Sequence, residues 1–583
     1  MATETSVSTP RVSPRDPLDS VTLSVINNAF VNLCREMGTA MMRTSYSTIF
    51  NEGLDFSCIL FNRRGDLIGQ AEFCPTMLGS AQYAMKWCID ELGYEAFEPG
   101  DVIVHNDPYR GQCHMPEHLI MKPVFYRDAL WGFVGNIAHV GEIGGMAPGS
   151  FAADGTEVYQ EGLRPPPIKL MRRGEYVKDT WKVILTNHRT PKTTWGDYHA
   201  MIGSLKVAEA RLLELLDRYG PERLSAAADQ LLDYSERFMR TEIRAIPDGV
   251  YQAEDCMEDD GITDRPYFAR LTLTVRGDEV IADWRASDAQ AKGPINATFV
   301  VTAAATYSGL LHVISDDIPL NSGCYRPIRL ITTPGTLTNV RHPGASVGGN
   351  TETHPRLQNI VLRALAQAIP DRVAAAEGGT SCNFLFGGTH PETGEYYTNY
   401  HIEGSGWGGT ALHDGGSVLC PENGNCRNAP VEVFDSKYPF TTLSYRLRRD
   451  SGGPGRYRGG LASSRHLVVT APEVTISTLM DRTKTRAWGL FGGGEGASAS
   501  ILVKRRGETG FRRFSEAFGT VSDSKFTRIT LCEGDEVVLS SAGGGGFGSP
   551  KDRPRAEVLD DMRERFVSLE AARELYGVKD DGA

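Results

Sequence analysis

The sequence predicts an α+β protein with mixed sheets: an N-terminal helix, a helical hairpin near residues 200–245, and a glycine-rich, β-dense C-terminal half. Three features of the chain lead to that class. Leu205, Ala208, Leu212, Leu215 and Leu216 repeat at helical spacing and stop at Gly220-Pro221. Short apolar runs bounded by turn residues, such as residues 55–62 (DFSCILFN), read as strands. The 63 glycines among 583 residues exceed the ~7% of an average chain, crowd into residues 376–425 and 440–550, and show no Gly-X-Y period.

In chain order, residues 1–15 are rich in Ser, Thr and Pro and are expected to form a disordered tail. Asp16-Pro17-Leu18-Asp19-Ser20 starts a helix whose apolar side, Val21, Val25, Phe30 and Leu33, carries it to about Met42. The strand at 55–62 turns at Arg64-Gly65, and residues 77–92 read as a helix. Glu98-Pro99-Gly100-Asp101 feeds a strand at 102–104, and residues 130–137 form another that ends just before His139. The helix at 201–219 is followed by one from Pro221 to about Ile246, and the two are expected to pack as an antiparallel hairpin. Strands at 268–276 and 279–285 join around Gly277-Asp278, and residues 296–315 and 354–369 read as helices. Short strands and glycine turns fill 440–550, and residues 552–578 form a helix broken before Ser568. Five regions follow: the tail (1–15), an N-terminal metal-site domain (16–245), a central α/β region (246–435), a β-rich, glycine-rich region (436–550) and a C-terminal helix (551–583).

The formal charge of −12 argues against nucleic acid or an anionic membrane as the main partner, since both need a basic footprint. The best apolar window, 300–314, is too short and too interrupted to span a bilayer, and the first residues carry no apolar signal-peptide core. Eleven cysteines without a C-x-x-C pair suit reduced thiols and a cytoplasmic setting.

Ligand-type side chains are densest at 101–142, which holds His105, Asp107, His114, Glu117, His118, His139 and Glu142, with four of the 13 histidines. Imidazoles mixed with carboxylates suit Zn, Mn or Fe rather than Ca or Mg. The plainer alternative is that these groups cap strand ends or form salt bridges. His114-Met115-Pro116-Glu117-His118 also fits the inverted zinc-peptidase signature, but Pro116 and the apolar run after His118 favour a loop entering a strand over the required helix. Gly344-Ala345-Ser346-Val347-Gly348 has nucleophile-elbow spacing without a helix directly behind it, so a glycine turn or an anion-binding loop fits better. No glycine is followed by lysine, so the chain has no phosphate-binding P-loop.

Several long segments, in order, resemble the hydantoinase B/oxoprolinase family. They include residues 43–62 (RTSYSTIFNEGLDFSCILFN), 105–118 (HNDPYRGQCHMPEH), 138–150 (AHVGEIGGMAPGS), 348–356 (GGNTETHPR) and 542–550 (AGGGGFGSP). The resemblance implies a divalent transition metal (Zn, Mn or Fe) held by Asp55, His114, Glu117 and His139. The family usually has Asp where this chain has Glu117 and Thr where it has Cys113. Asp107 and Glu142 fall in matched motifs and are the candidate general bases.

The resemblance also implies a partner, a hydantoinase A-type ATPase subunit that carries ATP and Mg, in an assembly expected to be A2B2. That partner phosphorylates the amide oxygen of a hydantoin, lactam or oxoproline-like ring, making a poor electrophile attackable, and the B-type subunit completes ring opening with a metal-acidified water. A subunit of an ATP-dependent ketone carboxylase is the alternative. A non-catalytic scaffold is a third reading, against which the ligand set argues.

Overall fold

The computed structural model describes residues 18–578, so the tail expected at 1–15 lies outside the described residues. The first elements are α1 (Ser20–Thr44), α2 (Thr48–Asn51), β1 (Phe56–Asn62), β2 (Leu67–Gln70), α3 (Pro75–Leu92) and β3 (Val102–His105). Next come β4 (Glu117–Tyr126), β5 (Ala129–His139), β6 (Ile168–Arg172), β7 (Glu175–Tyr176), α4 (Lys178–Asn187), α5 (Pro191–Tyr219) and α6 (Pro221–Arg244). The strands form one antiparallel sheet in the order β2-β1-β5-β4-β3-β6-β7.

This sheet is covered on both faces, which is why β1 is a continuous apolar run rather than an alternating one. Cys58 and Leu60 share a core with Phe30, Leu33 and Met37 of α1 and Leu205 of α5. Ile59 and Phe61 face Met77, Ala81 and Met85 of α3. Each large apolar side chain so buried stabilises the fold by about 1.5–3 kcal/mol.

Two helical expectations need correction. The buried face of α1 starts at Ile26, whereas Val21 and Val25 are 71% and 47% exposed. α5 begins ten residues before the start expected at 201 and lies mainly along α1 rather than along α6. α6, joined to it at Gly220 (φ +78°), instead bridges two cores: Leu224 and Leu231 belong to the first, Met239 and Ile243 to the second.

The second core packs β8 (Gly249–Met257), β9 (Tyr267–Arg276), β10 (Glu279–Asp283), α7 (Phe299–Leu311), β11 (Ile328–Ile331) and α8 (His354–Leu365). Its sheet runs β11-β10-β9-β8, with β10 and β11 parallel. A π-helical turn, Gly349–Thr353, enters α8.

The C-terminal half contributes β12 (Asn383–Thr389), β13 (Tyr396–His401), α9 (Val431–Lys437), β14 (Phe440–Leu447), β15 (Ser463–Val469) and β16 (Glu473–Leu479). β17 (Ser500–Lys504), β18 (Arg512–Arg513), α10 (Phe514–Phe518), β19 (Lys525–Cys532) and β20 (Glu536–Ser540) follow. They form two sheets, β13-β12-β16-β19 and β14-β15-β20-β17-β18. The final helix is two, α11 (Arg555–Arg563) and α12 (Leu569–Glu574), and Ser568 caps the second by accepting from the Ala571 amide at 3.1 Å.

The glycine-dense segments are more than turns. Residues 543–548 form an extended thread hydrogen-bonded to several neighbouring segments. Gly543 and Gly546 donate to the Ala497 and Gly494 carbonyls, and Gly544 and Phe547 to those of Gly460 and Tyr457. Gly545 donates to Ala376. Gly543 and Gly546, and likewise Gly544 and Phe547, therefore address the same neighbour three residues apart. A Cβ at Gly543, Gly544 or Gly545 would stand 1.7–2.0 Å from the carbonyl oxygens of Ser451, Trp407 or Trp488, so only glycine allows backbones to pack this closely.

Candidate functional site

Three strand ends meet at one end of the seven-stranded sheet. β4 and β5 are antiparallel neighbours with Glu117 directly opposite His139. β1 flanks β5 with Phe56 opposite Ala138, and the His139 amide donates to the Asp55 carbonyl at 3.1 Å. Strand alternation therefore sets Asp55, His139 and Glu117 on one face. His114 reaches the same point from the loop before β4. Its Nε2 lies 3.6 Å from Glu117 Oε1, and its ring centroid 5.1 Å from that of His139. His139 Nδ1 lies 3.7 Å from Asp55 Oδ2.

Distant segments hold these groups in place. His114 Nδ1 donates to the Val347 carbonyl at 3.0 Å, which leaves Nε2 as the free lone pair. Asn350, in the π-helical turn, donates to Glu117 Oε1 at 2.7 Å. Tyr400 stacks on His139 with centroids 4.2 Å apart, and Phe151 packs against both imidazoles. Sequence reasoning missed Asn350, Tyr400 and the Val347 carbonyl. The signal for Asn350 was the polar run 350–354 entering a buried helix.

His114 Nε2, His139 Nε2 and Glu117 Oε2 are buried without a hydrogen-bond partner. Burial pushes Asp55 up to about 7. Burial, joined by the Asp55 charge, raises Glu117 well above the usual carboxylate range. Burial lowers His114 to about 4 and, with the other histidines, His139 further still. Two neutral imidazoles and two carboxylates sharing a buried spot are a set that a divalent cation would stabilise.

Among the described residues no three His, Cys, Asp or Glu side chains stand, as they are, close enough to enclose a metal. Two ligand atoms on one tetrahedral ion lie about 3.4 Å apart. The His114–Glu117 and His139–Asp55 pairs, at 3.6 and 3.7 Å, are already near that spacing. The donor types and the three orphaned atoms fit such a group.

Other histidines of the region are engaged elsewhere. His118 lies on the opposite face of β4, between Tyr198 Oη (2.5 Å) and Asn106 Nδ2 (3.0 Å). His105 Nε2 pairs with the Arg110 carbonyl at 3.0 Å. Asp107 caps a turn by accepting from the Tyr109 amide at 2.9 Å and pairs with Arg110 and Arg164. Glu142 accepts from the Gly144 and Gly149 amides and from Arg189 Nη1 at 2.9 Å. Among the described residues neither carboxylate bonds to any of the four.

The motif alternatives find no support in the geometry. Glu117 and His118 open a strand, so the helix an inverted zinc-peptidase site needs is absent there. In the 344–348 loop the amides of Ser346 and Val347 both donate to Glu161 Oε1, so the protein's own carboxylate occupies that anion-binding position. A small cavity of about 30 Å³, lined by Thr48, Asp55, Asn399, Tyr400, His401 and Cys426 among others, reaches the site. A buried water needs roughly 10–15 Å³. No helix among the described residues is long and apolar enough to cross a membrane.

The chain is similar to known proteins over nearly its whole length. The chain is 33% identical to the beta chain of the caprolactamase of Pseudomonas jessenii over 97% of both chains. It is 32% identical to the B-type chain of a putative D-/L-hydantoinase from a Pseudomonas species, covering 96% of this chain and 95% of that one. It superposes on the crystal structure of ATP-dependent caprolactamase from Pseudomonas jessenii with a TM-score of 0.88 at 30% identity, over 97% of this chain and 98% of that one. Acetone carboxylase, in a nucleotide-free structure, shares the fold with a TM-score of 0.87 at 20% identity, over 96% of this chain and 79% of the other. The family model described as hydantoinase B/oxoprolinase matches residues 19–550, and with the whole architecture in register the chain belongs to that family.

Proposed function

We propose that this chain is the B-type subunit of an ATP-dependent cyclic amidohydrolase, acting on a hydantoin, lactam or oxoproline-like ring after a hydantoinase A-type ATPase subunit has phosphorylated it. One observation carries the reading: Asp55, His114, Glu117 and His139, from four points along the chain, face one another with three of their polar atoms orphaned. The similarity to the caprolactamase beta chain over nearly the whole length supports the cyclic-amide class.

A divalent transition metal held by these four residues would supply Lewis acidity. The residues themselves do the positioning. Val347 fixes the His114 tautomer, Asn350 steadies one oxygen of Glu117, and Tyr400 fixes the His139 ring plane. Phosphorylation by the partner leaves an imidate-like carbon for water to attack, and the small cavity beside Asp55 has room for water. Asp107 and Glu142 are the proposed bases. Each would have to exchange an arginine for the water whose proton it takes.

Reconstitution with the ATPase partner tests this reading. ATP-dependent ring opening of a lactam, hydantoin or oxoproline without bicarbonate is the expected result. An absolute bicarbonate requirement with a ketone substrate would move the chain to the carboxylase branch, and absence of any substrate-stimulated ATP hydrolysis would leave the scaffold reading.

A further inference from the structure

Three cysteines that the proposed chemistry does not use converge beside Asp55. Cys74 lies at the start of α3, and Cys420 and Cys426 flank the turn at 421–424. Cys74 Sγ lies 3.5 Å from the Asn423 carbonyl, and Cys426 Sγ 3.4 Å from that of Gly424. Cys426 and Asp55 line the same small cavity. A Cβ built on Gly424 would stand 2.6 Å from Cys420 Sγ and 3.7 Å from Cys426 Sγ, so a single point touches both sulfurs. The bare glycine is what lets them approach.

Buried free cysteines are normally inert packing. These differ in access: Cys420 and Cys426 are half-buried, and Cys426 lines the cavity that reaches Asp55. The turn between them also carries Asn423, whose Nδ2 donates to the Asn350 carbonyl at 3.0 Å and whose carbonyl accepts from Thr76. Asn350 in turn holds Glu117.

We propose that Cys420 and Cys426 are an oxidative modification site: a peroxide joins them in an intrachain disulfide that reshapes the cavity wall at Asp55. Hydrogen peroxide transfers one oxygen to the Cys420 sulfur, giving a sulfenic acid and one water. The Cys426 sulfur then attacks that sulfur, an S–S bond forms, and the sulfenic oxygen leaves as a second water. Two thiols are oxidised and one peroxide is reduced. The new bond converts the Cys426 thiol on the cavity wall to a disulfide and tethers the turn that supports Asn350. Loss of turnover on oxidation rests on the function proposed above; the bond itself does not.

The test is mass mapping of the purified full-length chain after hydrogen peroxide treatment and alkylation under non-reducing conditions. The expected product is a loss of two hydrogens located between Cys420 and Cys426, reversed by dithiothreitol and absent in C420S and C426S. Gly424→Ala retains both thiols but places a methyl against Cys420 Sγ, so bond formation should slow several-fold. A bond from Cys74 instead, over-oxidation without a disulfide, or untouched thiols while Cys256 and Cys532 oxidise would each overturn the proposal. With the bond mapped, turnover of the reconstituted complex should fall on oxidation and recover on reduction, whereas C420S should keep its turnover through the same treatment. Unchanged turnover with the bond present would overturn the effect on the site alone.

Discussion

Asn350 donates to Glu117 at 2.7 Å across 233 residues of chain, joining the π-helical turn before α8 to the first residue of β4. Glu117 Oε2 has no such partner, so the carboxylate is anchored on one side and open on the other. Removing the anchor in Asn350→Ala should lower metal retention and turnover by roughly 10–100-fold, the usual effect of losing a group that orients a ligand. Metal content and turnover of the same preparation, with circular dichroism to check the fold, measure it.

His139→Ala should abolish bound metal and turnover while leaving the fold intact, with some stability lost with the ring that stacks on Tyr400 and Phe151. Elemental analysis of the purified variant decides. Undiminished metal content would refute its role as a ligand.

Asp107→Asn and Glu142→Gln separate a base from a positioning group. A base lost in either variant should reduce kcat by about 100-fold or more and remove one limb of the pH–rate profile. A group that only holds Arg110, Arg164 or Arg189 should shift stability and KM, with the profile unchanged.

The fully buried pair of Glu403 and Arg465, the latter on β15, predicts an acid limit to stability. Burial alone would raise the Glu403 carboxyl, but Arg465 and His401 bring it down to about 2 from an ordinary 4.5. A depressed carboxylate contributes stability above its unfolded value, and that stability disappears as pH falls from about 4.5 towards 2, by about 3 kcal/mol in all. The thermal midpoint followed over this range should decline steeply, and Glu403→Gln should start lower and decline less.

Gly544→Ala should destabilise the C-terminal half by at least about 1–3 kcal/mol, since the added methyl would meet the Trp407 carbonyl at 2.0 Å. Denaturant titration against Gly510→Ala, where a Cβ meets nothing within 4 Å, isolates the crowding.

His114, Glu117 and His139 stood out as candidates because ligand-type residues crowd one short stretch, while Asp55 and the choice of these four came from the family resemblance; in the structure strand alternation sorts the stretch. Glu117 and His139 fall on one face, and His118 on the other. What held them was not legible, because Val347, Asn350 and Tyr400 lie far along the chain, and nothing local marks a pairing across 233 residues. The start of α1 misled because Val21 and Val25 keep helical spacing while pointing into solvent. The glycine excess suggested tight turns and close backbone approaches; the thread is one of the latter, and composition alone could not place it.

That thread has a consequence for how the molecule is made. Gly543 to Gly548 are the axle to which loops around 376, 406, 457 and 494 attach, yet they are translated after all of them. Until this stretch is made, those loops have donors and acceptors waiting for a segment that does not yet exist. Assembly of the C-terminal half therefore waits for this stretch, and a chain stopped short of Gly543 should leave that half unassembled even with every sheet strand present.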